Sequence, residues 1–560
     1  MEFDMNLLRV NLTKQTICTE EINDEFSCFI GGRGLATALL SDEVKPDVKP
    51  LNSDNKLIFT TGALTGSSIP FSARHNVTSI SPLTNTIFSS NAGGNFGCEL
   101  TRTGYHAVII EGRAPSPVYL YIGENMGDEH AELRDAAHLW GTDVFDATMR
   151  LTKECGVHFR NTAVIGIAGE QQVYFANIMT QMHRAFGRGG LGAVMGNKNL
   201  KAVVASGRNM IPIDRYIDIE AGLWKKVVDN MTGLKYLGTS SILSVANMNQ
   251  ALPTKNYSAT TYEDAGKIDG EALRKHTINV NTCHSCLVAC KRVTQSKKYN
   301  IITEGPEYET LMALGSNLCV NSLDAIIKSN YLCNKHGLDT ISTGAAIAGL
   351  IAASEKNRTK YDITWGDYDG VHKLIEMIAK RQGIGVELAN GAAAFAQKHD
   401  MPYYTVKGLD FPGHDCRGVA GQGLSYAVSN RGADHLYSME YIEEYGRPDR
   451  TIITGKAERV IYNENRNAVL DSMSLCKFSV RFYTMDDYLK ILSKITGSME
   501  ERDMQLLGAR IVEMERRFNC KRGFNKKDDV LPEIMKPSGF EEELKNYYRL
   551  RGWTNNGCTE

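Results

Sequence analysis

Short runs of β-branched and aromatic residues set the pattern of the first 208 positions. Gly, Pro, Ser and Asn interrupt these runs, as they interrupt strands at turns. The runs are KLIFTTGAL, NVTSISPL, HAVIIEG, VYLYIG and NTAVIGIAG. A helix is predicted at LATALL, directly after the first glycine-rich turn. We therefore predict a β-rich N-terminal domain over residues 1–208.

The pattern changes to helical spacing after the segment IPIDRYIDIE, which is predicted to be a crossover. Apolar residues then recur every three to four positions. This holds in YETLMALGSNL, AAIAGLIAASEKN, VHKLIEMIAKRQG and GVELANGAAAFAQKH. Residues 323–336 predict a further helix, which Gly337 ends. The expected fold class is α+β, with mainly helical domains at 209–400 and 401–560.

Length and charge narrow the class of protein. A chain of 560 residues is too long for one simple core. The net charge of -2 gives no general attraction to nucleic acid or to an anionic membrane. No run of about 18 apolar residues is present, and the first residues lack a basic stretch followed by an apolar one. We expect a cytoplasmic protein without membrane insertion or nucleic-acid binding.

The cysteines are thirteen in number and thinly spread, which is not typical of a disulfide framework. A reducing setting fits this usage better. Seven of them are predicted to be small buried hydrophobic residues. These are Cys18, Cys28, Cys98, Cys155, Cys319, Cys333 and Cys416.

One cysteine motif, CHSCLVAC, suggests an inorganic site. It spaces Cys283, Cys286 and Cys290 closely, and Cys476 stands alone far downstream. A [4Fe–4S] cluster takes four thiolates, and the fourth often comes from a distant part of the chain. Zinc also binds closely spaced cysteines. Spacing alone leaves both open.

Three glycine-rich turns could bring backbone N–H groups close to phosphates. They begin at Gly31, Gly93 and Gly187, and the second continues with Gly94. None matches the dinucleotide fingerprint or the P-loop, so an ordinary nucleotide is not implied. The alternative is that these glycines only tighten turns. Four neighbouring arginines favour phosphate binding. They are Arg74, Arg102, Arg184 and Arg188.

Carboxylates at three places could belong to a functional site, or they could stabilise the end of a helix. Glu309, next to Tyr308, could accept a proton if it is buried, or it could interact with a helix dipole. Asp471 precedes Cys476 by five positions, and Asp339 follows a predicted helix end. Helix capping explains the last two equally well.

In combination these segments resemble the aldehyde ferredoxin oxidoreductase family over essentially the whole chain. These are tungsten or molybdenum enzymes with two pterin-dithiolene groups and one [4Fe–4S] cluster. The resemblance rests on GGRGLATALL, TGALTGSSIPFSARHNVTSISPLTNTIFSSNAGGNFG, HRAFGRGGLGAVMGNKNLKAVV, the cysteine motif, GPEYET, NKHGLDTISTG and VKGLDFPGHD. It implies an N-terminal domain of two β-sheets that forms a base for the cofactor, covered by two mainly helical domains.

The resemblance also implies roles for single residues. The cluster ligands would be Cys283, Cys286, Cys290 and Cys476. Arg74 would lie between cluster and pterin. Mg²⁺ would join the pterin phosphates through Asn91 and the carbonyl of Ala185, with Arg184 near a phosphate. One pterin would be bound by Asn334, Gly337, Leu338 and Asp339, and the other by Asp471, Leu475 and Lys407. Glu309 and Tyr308 would face the substrate.

Three positions depart from the family pattern. Asn334 stands where aspartate is usual, and Ser474 stands where glycine is usual. Thr405, two positions before Lys407, stands where aldehyde-oxidising members have histidine, and threonine is no acid or base near neutral pH. The candidates to replace that histidine are Tyr403, Tyr404 and His414.

The function that the resemblance implies is the oxidation of an aldehyde to a carboxylic acid, with electrons passed to ferredoxin or a small ferredoxin-like subunit. The threonine at 405 leaves a different substrate open: a hydroxycarboxylate, a sulfonate or an aromatic acyl-CoA. A non-catalytic iron–sulfur or zinc protein is the third hypothesis. The family allows a homodimer, and the sequence does not choose between tungsten and molybdenum.

Overall fold

The computed structural model describes residues 5–125, 128–211, 216–231 and 233–559. Part of the predicted crossover, residues 212–215, lies outside them. The strands are β1 (Asn6–Asn11), β2 (Thr16–Glu21), β3 (Leu57–Thr61), β4 (His75–Ile80), β5 (Ile87–Ala92), β6 (Tyr105–Glu111), β7 (Val118–Asn125), β8 (Asp128–Asp135), β9 (Thr162–Val164), β10 (Ile178–Thr180), β11 (Arg184–Phe186), β12 (Leu200–Ala205), β13 (Thr277–Asn281), β14 (Lys291–Ser296), β15 (Ile301–Glu304), β16 (Thr405–Val406) and β17 (Leu409–Asp410).

Helices dominate the chain after β12. In chain order they are α1 (Asp24–Ser27), α2 (Gly32–Glu43), α3 (Phe96–Thr101), α4 (Val144–Cys155), α5 (Ile167–Glu170), α6 (Leu191–Asn197), α7 (Ile217–Asp229), α8 (Gly233–Leu237), α9 (Ser241–Met248), α10 (Ala265–Ile268), α11 (Gly270–Arg274), α12 (Tyr308–Ala313), α13 (Leu323–His336), α14 (Thr340–Glu355), α15 (Tyr368–Ala379), α16 (Gly385–Leu388), α17 (Ala392–Lys398), α18 (Ala420–Val428), α19 (Glu440–Glu444), α20 (Ala457–Met473), α21 (Met485–Thr496), α22 (Glu501–Lys521) and α23 (Phe540–Arg551).

The N-terminal region consists of two six-stranded mixed sheets. Their strand orders are β2-β1-β6-β3-β4-β5 and β11-β10-β9-β12-β7-β8. The first contains the parallel pair β1 and β6, and the second the parallel pair β12 and β7. The five runs predicted as strands became β3, β4, β6, β7 and β9, and the helix predicted at LATALL is α2. The α+β prediction is confirmed.

The two sheets share one apolar core. Side chains from both sheets form it, including Phe59 on β3 and Phe186 on β11. Their rings meet edge to face, with centroids 5.9 Å apart. Such aromatic pairs bury large apolar areas, so this contact fixes the spacing of the sheets. The N-terminal sheets therefore form a firm base for the segments that line the site.

Helix α13 begins and ends where the sequence predicts. The Ser322 side chain accepts the N–H of Ala325, which caps the first turn. Gly337 ends the helix with a φ of 75°, in the left-handed region that glycine adopts at low cost. The predicted helix at GVELANGAAAFAQKH is instead two short helices, α16 and α17, because Gly391 between them has a φ of 96°.

A three-stranded sheet, β13-β14-β15, lies within the region predicted to be helical. Its strands were not predicted because they are short and polar, and four of the five residues of β13 are exposed. The loop between β13 and β14 carries the CHSCLVAC motif. The sheet therefore presents the cysteine loop. The predicted division of the helical part at residue 400 stays a prediction.

The prediction that seven cysteines are small buried residues is confirmed for three of them. Cys98, Cys333 and Cys416 are buried, whereas Cys28, Cys155 and Cys319 are half-buried. For Cys18 it is wrong, because this residue lies on β2, the exposed edge strand of the first sheet. Cys520 and Cys558 form a disulfide that was not predicted.

None of the helices in the described ranges is by itself long and apolar enough to cross a membrane. The segments Tyr308–Leu318 and Leu323–His336 meet that test only as a pair, and they are bent by 119°.

Candidate active site

Two adjoining cavities lie where the N-terminal sheets meet the helical part. The first, here called the thiol cavity, has a volume of about 250 Å³ and is lined by the three motif cysteines and Cys476. The second, the polar cavity, has a volume of about 350 Å³. Both are lined by Arg74, Ala185, Lys291, Glu307, Glu309, His435, Leu436, Cys476 and Phe478. The shared lining shows that they are two parts of one site.

Phe71 joins the distant cysteine to the cysteine loop. Its backbone N–H donates to the carbonyl of Ser285 at 2.9 Å, and its own carbonyl accepts the N–H of Cys476 at 3.0 Å. Cys476 follows shortly after α20, which ends at Met473. Because both bonds use the backbone of one residue, Cys476 is held beside the loop that carries Cys283 and Cys286. The structure therefore brings the four predicted ligands together.

Two arginines face the thiols. Arg74 Nη2 lies 3.5 Å from the Sγ of Cys476, and Arg184 Nη1 lies 3.5 Å from the Sγ of Cys283. Burial lowers the pKa of Arg74, but the neighbouring Cys476 and Cys283 raise it more, so that it stays charged. Burial raises the pKa of the Cys286 thiol to about 11. Metal binding at this site would therefore release protons.

The spacing of the thiol sulfurs can be compared with that around a single zinc ion. A tetrahedral zinc site with Zn–S bonds of about 2.3 Å places its sulfurs about 3.8 Å apart. In the part of the chain that the structure describes, no three of these sulfurs lie within 4.8 Å of one another. A cubane holds its thiolates farther apart, because each binds a different iron. The four cysteines supply the number of thiolates that a cubane takes.

The corner between α13 and α14 lines the polar cavity. Asn334 lies in the last turn of α13, and Asp339 caps α14 by accepting the N–H of Ile341 at 3.0 Å. The helix cap considered for Asp339 is therefore present, whereas the one considered for Asp471 is wrong, because Asp471 lies inside α20. The other carboxylate oxygen of Asp339 accepts from Ser342 and lies 3.4 Å from Arg188 Nε. Gly337 shapes the corner, and Leu338 lines the cavity.

Asp471 lines the same cavity from the end of α20. Its carboxylate lies 2.9 Å from Lys477 Nζ and 3.4 Å from Arg33 Nη1. Arg33 was not predicted to matter; it is buried and paired with Glu515 at 2.7 Å. Ser474, where glycine is usual, has a φ of 63° and ends α20. Leu475, a predicted pterin contact, is buried in the core and lies outside the described lining of both cavities.

The glycine-rich turns contribute unevenly to the site. Gly187 and Asn91 line the polar cavity, and Gly93 lines the thiol cavity, where a Cβ would lie 3.0 Å from the Sγ of Cys283. Gly94, with a φ of 105°, packs against Gln181 and is outside the described lining of the two cavities.

Buried polar atoms beside the polar cavity lack partners within the described chain. They are Asn91 Nδ2, Asn177 Oδ1 and Arg431 Nε. Such atoms are costly to leave unsatisfied, so they indicate a polar ligand. Together with Arg74 and Arg188, they fit a ligand that carries phosphates and heterocyclic rings.

Lys407 lies elsewhere. Its Nζ forms an ion pair with Asp529 at 2.6 Å and donates to the carbonyl of Ala427 at 2.6 Å. It is absent from the described lining of both cavities. Its predicted pterin contact stays a prediction, and the geometry gives it no support.

Glu309 lies where the two cavities meet. Its Oε2 accepts the N–H of Gly413 at 2.7 Å, while Oε1 has no hydrogen-bond partner among the described residues. Burial raises the pKa of Glu309 to about 7. The hydroxyl of Tyr308 donates to the carbonyl of Gly413. A carboxyl with a pKa near neutrality is suited to proton transfer.

Two histidines face the free oxygen of Glu309. The Nε2 atoms of His435 and His414 lie 3.6 and 3.8 Å from Oε1. Burial lowers the pKa of His435 to about 4 and that of His414 well below its usual value. Both imidazoles are therefore neutral near pH 7. The three groups are also close enough to hold one metal ion.

His414 belongs to an aromatic wall. Its ring stacks on Tyr441 with centroids 3.6 Å apart, and its Nδ1 lies 2.7 Å from the hydroxyl of Tyr445. Thr405 lies on β16, paired with Asp410, and is not part of the described lining of either cavity. The imidazoles that face the free oxygen of Glu309 are those of His414 and His435. No motif marked His435, which only the fold brings to Glu309.

A base of two sheets, four converging cysteines and a buried polar cavity are features of a metal-dependent redox protein, and sequence comparison narrows the class. The family description "Aldehyde ferredoxin oxidoreductase, N-terminal domain" matches residues 7–207, and "domains 2 & 3" of the same family matches residues 221–560. The chain belongs to the aldehyde ferredoxin oxidoreductase family and is an oxidoreductase of that family.

Individual relatives agree with this assignment. The chain is 39% identical to the tungsten-containing aldehyde ferredoxin oxidoreductase of Pyrococcus furiosus, over 98% of this chain and 96% of that protein. It is 29% identical to the aliphatic sulfonate oxidoreductase, WOR-like subunit, of the same organism, over 99% and 95%. The structure of the active site complex BamBC of benzoyl coenzyme A reductase with 1,5 dienoyl-CoA has the same fold, with a TM-score of 0.84 and 23% identity over 99% and 95%.

Proposed function

We propose that this chain oxidises an aldehyde to a carboxylic acid by means of a tungsten- or molybdenum-bis-pterin group, and that electrons leave through a [4Fe–4S] cluster to ferredoxin or a small ferredoxin-like subunit. The observation that carries the proposal is that the four cysteines, four residues of the pterin motifs (Asn334, Leu338, Asp339 and Asp471) and Glu309 all line two adjoining cavities. The 39% identity to a tungsten-containing aldehyde ferredoxin oxidoreductase supports it.

The protein would hold each group with residues suited to it. Cys283, Cys286, Cys290 and Cys476 would bind the cluster. The pterins and their phosphates would contact Arg74, Asn91, Arg184, Ala185, Gly187, Asn334, Leu338, Asp339 and Asp471, with Mg²⁺ at Asn91 and Ala185. When bound, the metal–pterin group supplies two-electron oxidation of the carbonyl carbon.

Glu309 would accept a proton that is released in the reaction. Oxidation of an aldehyde consumes water and releases protons, so a group that accepts a proton near neutral pH is needed beside the substrate. The free Oε1 of Glu309 fits this role, since Oε2 is already held by Gly413. The neutral His435 and His414 can accept a hydrogen bond from the protonated carboxyl. Tyr308 holds the Gly413 backbone in place.

Thr405 by itself does not favour a different substrate class. Two imidazoles lie within 4 Å of Glu309 although residue 405 is threonine. A hydroxycarboxylate, a sulfonate or an aromatic acyl-CoA stays the alternative, because one relative is named an aliphatic sulfonate oxidoreductase.

The test begins with metal analysis of protein purified without oxygen from a host that makes the pterin. About one tungsten or molybdenum and about four irons per chain are expected. Dye reduction with a panel of aldehydes, sulfonates and hydroxycarboxylates then identifies the substrate. Turnover of a sulfonate without any aldehyde would select the alternative. Zinc without pterin would indicate a non-catalytic protein.

A further inference from the structure

Asp410 on β17 is a buried carboxylate to which the proposed function gives no role. Its side chain is fully buried, and neither carboxylate oxygen has a hydrogen-bond partner among the described residues. Buried polar atoms are costly to leave unpartnered, so a group of this kind calls for an explanation. Burial raises the pKa of the Asp410 carboxyl to about 7. Asp410 is therefore suited to gain and lose a proton near neutral pH.

Asp410 lines a small cavity directly beneath the surface. This cavity, here called the Asp410 cavity, has a volume of about 10 Å³, which is room for one water molecule. Pro402 and Tyr403 also line it, and both are exposed. Ala345 and Gly349 line it from α14, where their small size leaves this room. A water molecule in the cavity would partner the carboxylate and carry its proton towards the surface.

Ser342 links Asp410 to the polar cavity. Its hydroxyl donates to Oδ2 of Asp339 at 2.9 Å, and it lies close enough to Asp410 to oppose the effect of burial on the pKa of that carboxyl. A hydroxyl has one proton to donate and two lone pairs. The Ser342 oxygen can therefore accept from one carboxyl while it donates to the other. Asp339 itself lines the polar cavity.

Arg188 and Asp339 are the charged groups that act on Asp410 among the described residues. Arg188 Nη2 donates to the backbone carbonyl of Asp410 at 2.7 Å, and its Nε lies 3.4 Å from Asp339. Burial raises the pKa of Asp410, Arg188 lowers it, and Asp339 raises it. Burial also raises the pKa of the neighbouring Tyr257 well above its usual value, so this phenol stays neutral. The charge on Asp410 thus responds to the carboxylate at the polar cavity.

Glu309 and Asp339 are neighbours at the polar cavity. Both line it, and the hydroxyls of Thr310 and Thr340, the residues that follow them, lie 2.9 Å apart. Burial is the main reason for the raised pKa of Glu309, and the charge of Asp339 adds to it. Glu309, Asp339, Ser342 and Asp410 therefore form a series of groups that can hold or pass a proton, from the buried site to the Asp410 cavity.

We propose that Asp410 is a proton-relay residue: protons accepted by Glu309 pass by way of Asp339 and Ser342 to Asp410, and leave through the Asp410 cavity at Tyr403. The inference rests on the proposed function. An aldehyde and one water give a carboxylate, three protons and two electrons. The electrons leave to the ferredoxin-type acceptor, and the protons need a route out of the buried site. Asp410 touches neither substrate nor cofactor and acts through its neighbours.

The first experiment observes the carboxyl group directly. Infrared spectra of the full-length protein, purified without oxygen, are recorded across pH 5 to 9 for the wild type and Asp410→Asn. A carboxyl C=O band that is missing in Asp410→Asn should titrate with a midpoint of about 7. On transfer to D2O this band should shift within seconds. Ala345→Val keeps the carboxyl but fills the cavity beside it, and should slow the shift about tenfold.

The outcome of the infrared experiment does not depend on the substrate. A titrating band that exchanges quickly in the wild type and slowly in Ala345→Val supports the relay. If the wild type has no band that Asp410→Asn removes, or if Ala345→Val exchanges as fast as the wild type, protons do not leave through this cavity and the proposal is wrong.

The second experiment measures aldehyde-dependent reduction of benzyl viologen by the holoenzyme. The kcat of Asp410→Asn and of Ser342→Ala should fall about tenfold, with an unchanged KM for aldehyde and unchanged metal content. The solvent deuterium isotope effect on kcat should increase in both. Asp410→Glu should recover part of the rate, and the matched control Asp369→Asn, at an exposed carboxylate on α15, should behave like the wild type.

A wild-type kcat and isotope effect in Asp410→Asn would overturn the relay, as would a loss of rate that only follows a loss of metal. Failure of the proposed function has a different signature, which is a wild type that turns over no aldehyde. In that case the infrared exchange still decides whether Asp410 passes protons to the surface, so the two failures are distinguishable.

Discussion

The Oε1 atom of Glu309 lies 3.6 Å from the Nε2 atom of His435. Among the residues that the structure describes, Glu309 Oε1 has no hydrogen-bond partner, and both residues line the thiol and polar cavities. Burial brings the pKa of the carboxyl to about 7 and that of the imidazole to about 4. At neutral pH the imidazole is therefore neutral and the carboxyl is poised to take a proton.

Replacing Glu309 with Gln is expected to lower kcat about 10²- to 10⁴-fold, because the amide cannot accept the proton. Tungsten or molybdenum and iron per chain should stay unchanged, since Glu309 holds no cofactor in the proposal. Viologen-coupled turnover and metal analysis on the same sample check this. If the rate falls only in step with metal content, Glu309 is a structural residue.

The pH profile follows from the raised pKa of Glu309. As pH rises through about 7 the carboxyl ionises and becomes a base, so kcat should rise between pH 6 and 8 and then level off. The Glu309→Gln variant should lack this rise of kcat with pH. A wild-type profile that falls over the same range would mean that protonated Glu309 is the active form.

The raised pKa of Glu309 also predicts that folding stability falls as pH rises, whereas kcat rises. Because the folded pKa lies above the ordinary value of 4.5, the stabilising contribution is complete below pH 4.5 and is lost as pH rises through about 7. Thermal unfolding of cofactor-free wild type and Glu309→Gln across pH 4.5 to 8 measures it. As pH rises, the Tm of the wild type should fall relative to the Tm of the Glu309→Gln variant.

Cys476→Ser is expected to cost the cluster, because a cubane with three thiolates is poorly held. Iron per chain should fall well below about four, and the matched variant Cys18→Ser, at an exposed cysteine, should keep the wild-type value. Iron analysis and the electron paramagnetic resonance signal of the reduced cluster are the measurements. Full iron in Cys476→Ser would place the fourth ligand elsewhere.

Lys407→Met separates a structural role from pterin binding. Its Nζ pairs with the fully buried Asp529, so removal should cost about 3 kcal/mol of unfolding free energy. Pterin per folded chain should not change. Asp339→Asn keeps the helix cap but removes the charge, and should lower pterin content instead. Pterin loss in Lys407→Met at a temperature where it is folded would restore the family-based assignment.

Ser474→Gly is expected to stabilise the protein by about 1 kcal/mol. The serine has a φ of 63°, where a Cβ is unfavourable, and its buried Oγ has no partner among the described residues. Ser474→Ala keeps the Cβ and serves as the control. Denaturant unfolding of cofactor-free protein compares the three, and equal stability of Gly and Ala variants would show that the backbone is not strained.

The sequence by itself determined the element types and the family. Strand and helix periodicities are local properties, so β3, β4, β6 and α13 follow from runs of a few residues. The close spacing in CHSCLVAC likewise fixes that three thiols share one loop. The short strands β13–β15 were not predicted because apolar and polar residue types do not alternate along them, although burial alternates along β14.

Only the tertiary structure decided which distant residues meet. Phe71 holds Cys476 against the cysteine loop through two backbone bonds, and the fold carries His435 to Glu309. The fold also pairs Lys407 with Asp529, outside the cavities where the family resemblance predicted a pterin contact. Sequence spacing specifies contacts within a loop or a helix turn. Contacts between segments depend on how sheets and helices pack, which no short pattern records.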